Sequence, residues 1–171
     1  MPAIHSKAAL ILTSVVVVSL FVSGPLWRAF GPLLVINLTD SLPHGFYLVY
    51  SKAPKQGEIA AFYLPKHVTR QYRDRTWLIP NALFLKPVAF LPGTRLCWKA
   101  HRMLANDRKI ATLKDFDARG LPLRHPRGCL TLKYNEIFVI STFSKNSFDS
   151  RYFGPIQRSS VIGTAAPILT W

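Results

Sequence analysis

A serine and a lysine in this chain could together break an amide bond. Ser41 lies in a polar island, Asn37-Leu38-Thr39-Asp40-Ser41-Leu42-Pro43-His44-Gly45, between two apolar runs. A serine hydroxyl is a weak nucleophile at neutral pH. It needs a base to take its proton and donors to hold the charge that develops on the attacked carbonyl. The histidines (His5, His44, His67, His101, His125) offer no partner pattern, and no Gly-x-Ser-x-Gly elbow is present. A triad through His44 is the histidine alternative. A lysine serves as base when its amine is neutral, and burial lowers the ordinary value of about 10.4 by several units. Lys86 stands in Leu83-Phe84-Leu85-Lys86-Pro87-Val88-Ala89-Phe90, neighbours that would desolvate it. Taken alone, a lysine in an apolar run commonly snorkels to the surface. The acyl-transfer reading therefore needs an architecture that buries Lys86 against Ser41.

The elements that would do this are short strands. Thirteen prolines, mostly single, disfavour a helical bundle. Strands are expected at residues 46–50, 58–64, 136–140 and 161–165, residues 77–80 and 82–85 are strongly apolar on either side of Asn81, and residues 30–36 read as a first strand or as a run along a membrane face. Residues 66–76 are polar and basic, a short helix or loop. Residues 94–132 alternate short runs with turns and read as a hairpin-rich insertion closed by the two cysteines, Cys97 and Cys129. An even count fits a disulfide. His101 and His125, each four residues from a cysteine, leave a Cys₂His₂ zinc site and free thiols as alternatives.

No residue from 8 to 27 is charged. Such a run as a helix spans about 30 Å, the thickness of a bilayer core. Lys7 precedes it, and Trp27 and Arg28 end it as interfacial anchors. A cleavable signal peptide is the rival, and Pro25 directly after Val22-Ser23-Gly24 disfavours that cut. The organisation expected is a tail (1–7), a transmembrane anchor (8–27) and one domain (28–171). Charge alone orients the anchor weakly. The net charge of +14 is scattered, with a local cluster at residues 66–75, and no nucleic-acid motif accompanies it. This favours a basic surface near anionic inner-membrane lipid over nucleic-acid binding.

The order Ser41…Lys86…Ser147-x-Asp149-Ser150-Arg151-x-x-Gly154 resembles the bacterial type I signal peptidases, membrane-anchored Ser/Lys serine proteases. Thr39-x-Ser41 is similar to the nucleophile box, and Gln56-Gly57-Glu58-Ile59-Ala60-Ala61-Phe62 to the strand box that follows. Lys86 with Leu91-Pro92-Gly93 is similar to the lysine box, and residues 147–154 to the last box. Asn37-x-Thr39-x-Ser41-x-Pro43-x-Gly45-x-Tyr47 most resembles the conjugal-transfer signal peptidase branch, TraF, as do the positions of the cysteines and the run through Pro155. Departures from the wider family are Thr94 after Pro-Gly, Leu42 for Met, the earlier Pro43, and Ser144-Lys145-Asn146 for Gly-Asp-Asn. They remove no catalytic group and point away from general secretory specificity.

The resemblance implies a mainly β fold, an antiparallel barrel-like core of the signal-peptidase and repressor-cleavage type, on one transmembrane helix with the catalytic domain in the periplasm. It implies Ser41 as nucleophile and Lys86 as general base. Thr39 and the Ser41 N–H would form the oxyanion hole, Ser147 would orient the lysine, and Asp149 and Arg151 would brace that loop. The chemistry needs no cofactor and no metal. The substrate implied is a conjugative pilin precursor, with hydrolysis and cyclisation as alternative outcomes and other transfer or type IV secretion components as partners. Rival readings are a general leader peptidase, a self-cleaving repressor-type peptidase and a non-catalytic assembly factor of the transfer apparatus.

Overall fold

The computed structural model describes residues 12–19, 33–79 and 81–171. The chain falls into two units, Met1–Leu33 and Leu34–Trp171. In the first, residues 12–19 are helical with exposed side chains. The rest of the expected span at residues 8–27 lies outside the described residues. Among the described residues, no helix is long and apolar enough to cross a membrane.

The second unit is built of strands. Their order is β1 (Leu33–Asn37), β2 (Gly45–Tyr50), β3 (Ile59–Tyr63), helix α1 (Lys66–Gln71), β4 (Leu83–Phe90), β5 (Arg95–Lys99), β6 (Arg102–Ala105), β7 (Arg108–Thr112), β8 (Gly128–Thr131), β9 (Glu136–Val139), helix α2 (Ser150–Phe153), β10 (Ile156–Gln157) and β11 (Val161–Thr170). Seven strands form one sheet in the order β1-β2-β11-β3-β4-β9-β10, and four form a second in the order β7-β6-β5-β8. From β2 to β10 every pairing is antiparallel. The second sheet is the expected insertion. Asn106 and Asp107 turn its β6–β7 hairpin with φ of 46° and 64°, the left-handed pair a two-residue type I′ loop requires.

The large sheet buries apolar side chains on both faces, because successive side chains alternate. On β3, Ala60 and Phe62 join one cluster with Val88, Ile137, Val139 and Phe153, while Ala61 joins another with Leu42, Tyr47, Val49, Leu85 and Ala165. β4 is a single strand that runs through Pro87. The missing N–H is tolerated because the Pro87 carbonyl still accepts the Ile140 N–H at 3.1 Å and the ladder resumes with Val88 N–H to Glu58 O at 2.9 Å. β11 runs five residues past the segment expected at 161–165, to Thr170. It continues because it pairs with β2 as well as β3, and a register shift between Pro167 and Leu169 accommodates the proline.

The basic cluster at residues 66–75 is not uniformly solvated. Arg75 is 7% exposed. Its Nη2 donates to Pro122 O at 2.8 Å, and its guanidinium lies 5.9 Å from the Tyr72 ring centre. Further ties join this segment to the insertion loop. Tyr72 Oη donates to Arg124 O at 2.8 Å, Trp77 Nε1 to Asp117 Oδ2 at 3.4 Å, and Arg119 Nη1 to Thr76 Oγ1. The insertion loop is thereby clasped to the α1 segment.

Candidate active site

Ser41 lies in the turn between β1 and β2, and its neighbours hold that turn from within. Asn37, at the end of β1, donates through Nδ2 to the carbonyls of Thr39 (3.0 Å), Leu42 (3.1 Å) and Pro43 (3.1 Å). Its Oδ1 accepts the Thr39 N–H at 3.2 Å and the Thr39 hydroxyl at 2.8 Å. Tyr47 Oη donates to Pro43 O at 2.8 Å. Gly45, with φ of 153°, faces the Leu169 carbonyl of β11 so closely that no Cβ fits. Asn37, Thr39, Pro43, Gly45 and Tyr47 therefore each have a place in shaping or closing the turn that carries Ser41.

Lys86 projects from β4 and is 3% exposed. Its Nζ donates to Ser147 Oγ at 3.0 Å, and Ser147 Oγ donates to Ser41 Oγ at 3.4 Å. Three side chains distant in the sequence thus meet in one buried row. Burial is the main force on the amine and lowers its pKa from 10.5 to about 8; the Asp149 carboxylate opposes this and Arg151 reinforces it.

The Ser147 side is braced by a buried ion pair. Asp149 is fully buried, and Arg151 grips it bidentately, Nε to Oδ1 at 2.7 Å and Nη2 to Oδ2 at 2.8 Å. Asp149 also caps α2 by accepting the Arg151 N–H at 3.2 Å. Arg151 Nη2 reaches on to Ser147 O at 3.1 Å, fixing the backbone beneath the Ser147 hydroxyl. Phe148, between Ser147 and Asp149, is wedged among aromatic rings, with Tyr72 and Trp77 each at 4.9 Å and Phe153 at 5.4 Å between ring centres.

Ser41, Lys86 and Ser147 open onto a groove of about 510 Å³, walled by Val35 and Ile36 of β1, residues 83–85 of β4, and Trp77 and Phe116. The β3 ladder covers one edge of β4 from Leu83 to Pro87, while the other edge is engaged only from Pro87 onward, by the Ile140 N–H and then by β9. Among the described residues the second edge of β4 beside Lys86 is left without a strand partner. An extended peptide can add there by main-chain hydrogen bonds.

Not every site expectation meets this arrangement in the same way. Thr39 lines the groove, but its hydroxyl donates to Asn37 and would have to release it to reach an oxyanion. His44 Nε2 faces Asp40 Oδ1 at 3.1 Å in an exposed pair, while the Ser41 hydroxyl meets the Ser147–Lys86 side. Cys97 and Cys129 form a disulfide at paired positions of β5 and β8. Among the described residues no cluster of histidine, cysteine and acidic side chains could hold a metal ion. One residue escaped the sequence reading. Ser141, at the end of the apolar run through Ile140, donates its hydroxyl to the Ser41 carbonyl. A hydroxyl closing a strand carries no sequence signal of such a contact.

A family model described as "Signal peptidase, peptidase S26" matches residues 5–171, and the chain belongs to this family, that of the type I signal peptidases. Within it, the chain is 28% identical over 146 residues to a plasmid transfer protein TraF of Escherichia coli, covering 80% of this chain and 82% of that protein. It is 30% identical over 149 residues to the conjugal transfer protein TraF of Agrobacterium fabrum, with the same two coverages, 80% and 82%, and so falls in the TraF branch. A signal peptidase I structure from Enterococcus faecalis V583 is similar over 66% of this chain and 97% of that one, with 22% identity and a TM-score of 0.39.

Proposed function

We propose that this protein is a membrane-anchored serine endopeptidase of signal peptidase type that processes a conjugative pilin precursor through an acyl-enzyme. The observation that carries the reading is the row Ser41–Ser147–Lys86 beside an open strand edge, with burial lowering the lysine pKa to about 8. Lys86 Nζ takes the Ser41 proton as Oγ bonds to the scissile carbonyl carbon. The tetrahedral intermediate collapses, the C–N bond breaks, and the lysine returns the proton to the leaving amine. Ser147 accepts an N–H from Lys86 and so turns the amine lone pair toward Ser41. The Ser41 N–H, with Thr39 once its hydroxyl turns from Asn37, holds the oxyanion. Water or an amine of the precursor itself then takes the acyl group, giving a linear or a cyclic product.

Residues 8–27 supply the inner-membrane anchor and residues 28–171 the periplasmic catalytic domain. The disulfide suits that oxidising compartment. The similarity to conjugal transfer proteins supports a dedicated precursor from the transfer apparatus as substrate. The test is co-expression with a candidate pilin and measurement of product mass, which also reads the cut site and any cyclisation. Ser41→Ala and Lys86→Ala each abolish processing while the protein still inserts. Processing that survives either change rules out the dyad, and a silent Ser41→Ala points to an assembly factor.

A further inference from the structure

The nucleophile turn and the lysine side of the site lie on separate segments, and Ser41 Oγ and Ser147 Oγ stand a long 3.4 Å apart. Such a contact alone aligns a hydroxyl poorly. Ser141 spans the same gap through the backbone. Its hydroxyl donates to the Ser41 carbonyl across a hundred residues of sequence and accepts the Phe143 N–H at 3.2 Å. Its own backbone is held on both sides: the N–H donates to Asp149 Oδ2 at 3.1 Å, and the carbonyl accepts from Arg151 Nη2 at 3.5 Å. The same Arg151 nitrogen donates to the Ser147 carbonyl. One ion pair thus sets the position of the hydroxyl beside the lysine and of the hydroxyl that grips the nucleophile's backbone.

We infer that Ser141 is a positioning residue for the nucleophile, tying the Ser41 turn into register with Ser147 and Lys86. The inference rests on the proposed peptidase activity. Ser141 is 1% exposed and is absent from the groove lining, so it offers substrate no surface. It acts on the alignment of Ser41 and leaves the Lys86 amine alone, since it makes no hydrogen bond to that side chain. Small displacements of a reacting group slow the chemical step by about a hundredfold per ångström. Loss of this anchor should therefore appear in kcat and spare both KM and the pH midpoint that Lys86 sets.

The experiment uses the full chain in detergent and an internally quenched peptide with small residues before its cut site. Rates are referred to the folded fraction seen by near-ultraviolet circular dichroism. Ser141→Ala is expected to lower kcat by about tenfold to a hundredfold, with KM and the pH midpoint unchanged. Ser141→Thr keeps the donor and should restore kcat to within a few fold of the original. Wild-type kcat in the alanine variant overturns the inference. So does a raised KM, a shifted pH midpoint, or a threonine variant as slow as the alanine one. Ser41→Ala is the blank. A wild-type protein no faster than this blank overturns the peptidase reading itself, whereas an active wild type with an unaffected Ser141→Ala overturns only the role of Ser141.

Discussion

The Lys86 amine titrates at about 8 in the folded protein, against 10.5 ordinarily, because burial disfavours its charge. Between those values the unfolded chain binds more protons than the folded one, so stability rises with pH from about 8 to about 10.5. Below about pH 8 the penalty is fully present, on the order of 3 kcal/mol. Lys86→Met should therefore abolish processing yet raise the melting temperature at pH 7, with the gain fading as pH approaches 10. A methionine variant less stable than wild type at pH 7 would contradict this. The rate should climb through about pH 8 and level above it, and a rate flat from about pH 6 to 10 would remove lysine as the base. Substitution at Asp149 has the opposite effect on stability. Its two oxygens accept from Arg151 and from the Ser141 N–H, so Asp149→Asn leaves a buried guanidinium short of its partner and should destabilise by about 3–5 kcal/mol in urea unfolding. At this scale the sequence was informative about Ser41, Lys86 and Ser147 because each stands in a motif with fixed order. Ser141 and the burial of Arg75 were hidden, since both depend on which backbone carbonyls and carboxylates the fold brings near.

At the scale of elements, strands were legible where β-branched and aromatic residues cluster, as in β2, β3 and β9. The length of β11 was not, because only pairing with β2 carries the strand past Pro167. That pairing has a strict steric condition at Gly45. Gly45→Ala drives a methyl into the Leu169 carbonyl and should cost folded protein and activity together, visible as a lowered melting temperature. The insertion loop is conditioned differently. It is tied to the α1 segment by Tyr72, Arg75 and Trp77, and its base is closed by Cys97–Cys129. Replacing both cysteines by serine should cost about 2–4 kcal/mol. It should raise KM more than it lowers kcat, because the loop carries Phe116 in the groove wall while the Asp149–Arg151 brace lies outside the loop.

For the whole molecule, the scattered single prolines and the runs of β-forming residues identified a β domain, and the two-face burial of its main sheet followed from strand order, which local sequence does not encode. The groove was invisible for the same reason. It exists because β1, β4, the α1 segment and the insertion converge, and no one of them signals it. Its wall includes Trp77, an indole 36% exposed that stacks edge-on against the ring next to Ser147, whereas Trp98 is buried and donates to Arg151 O. The chain therefore carries its own optical gauge of occupancy. A peptide entering the groove strips water from Trp77, so indole emission should shift to the blue on binding to Ser41→Ala. That shift gives an affinity without turnover and should vanish in Trp77→Phe.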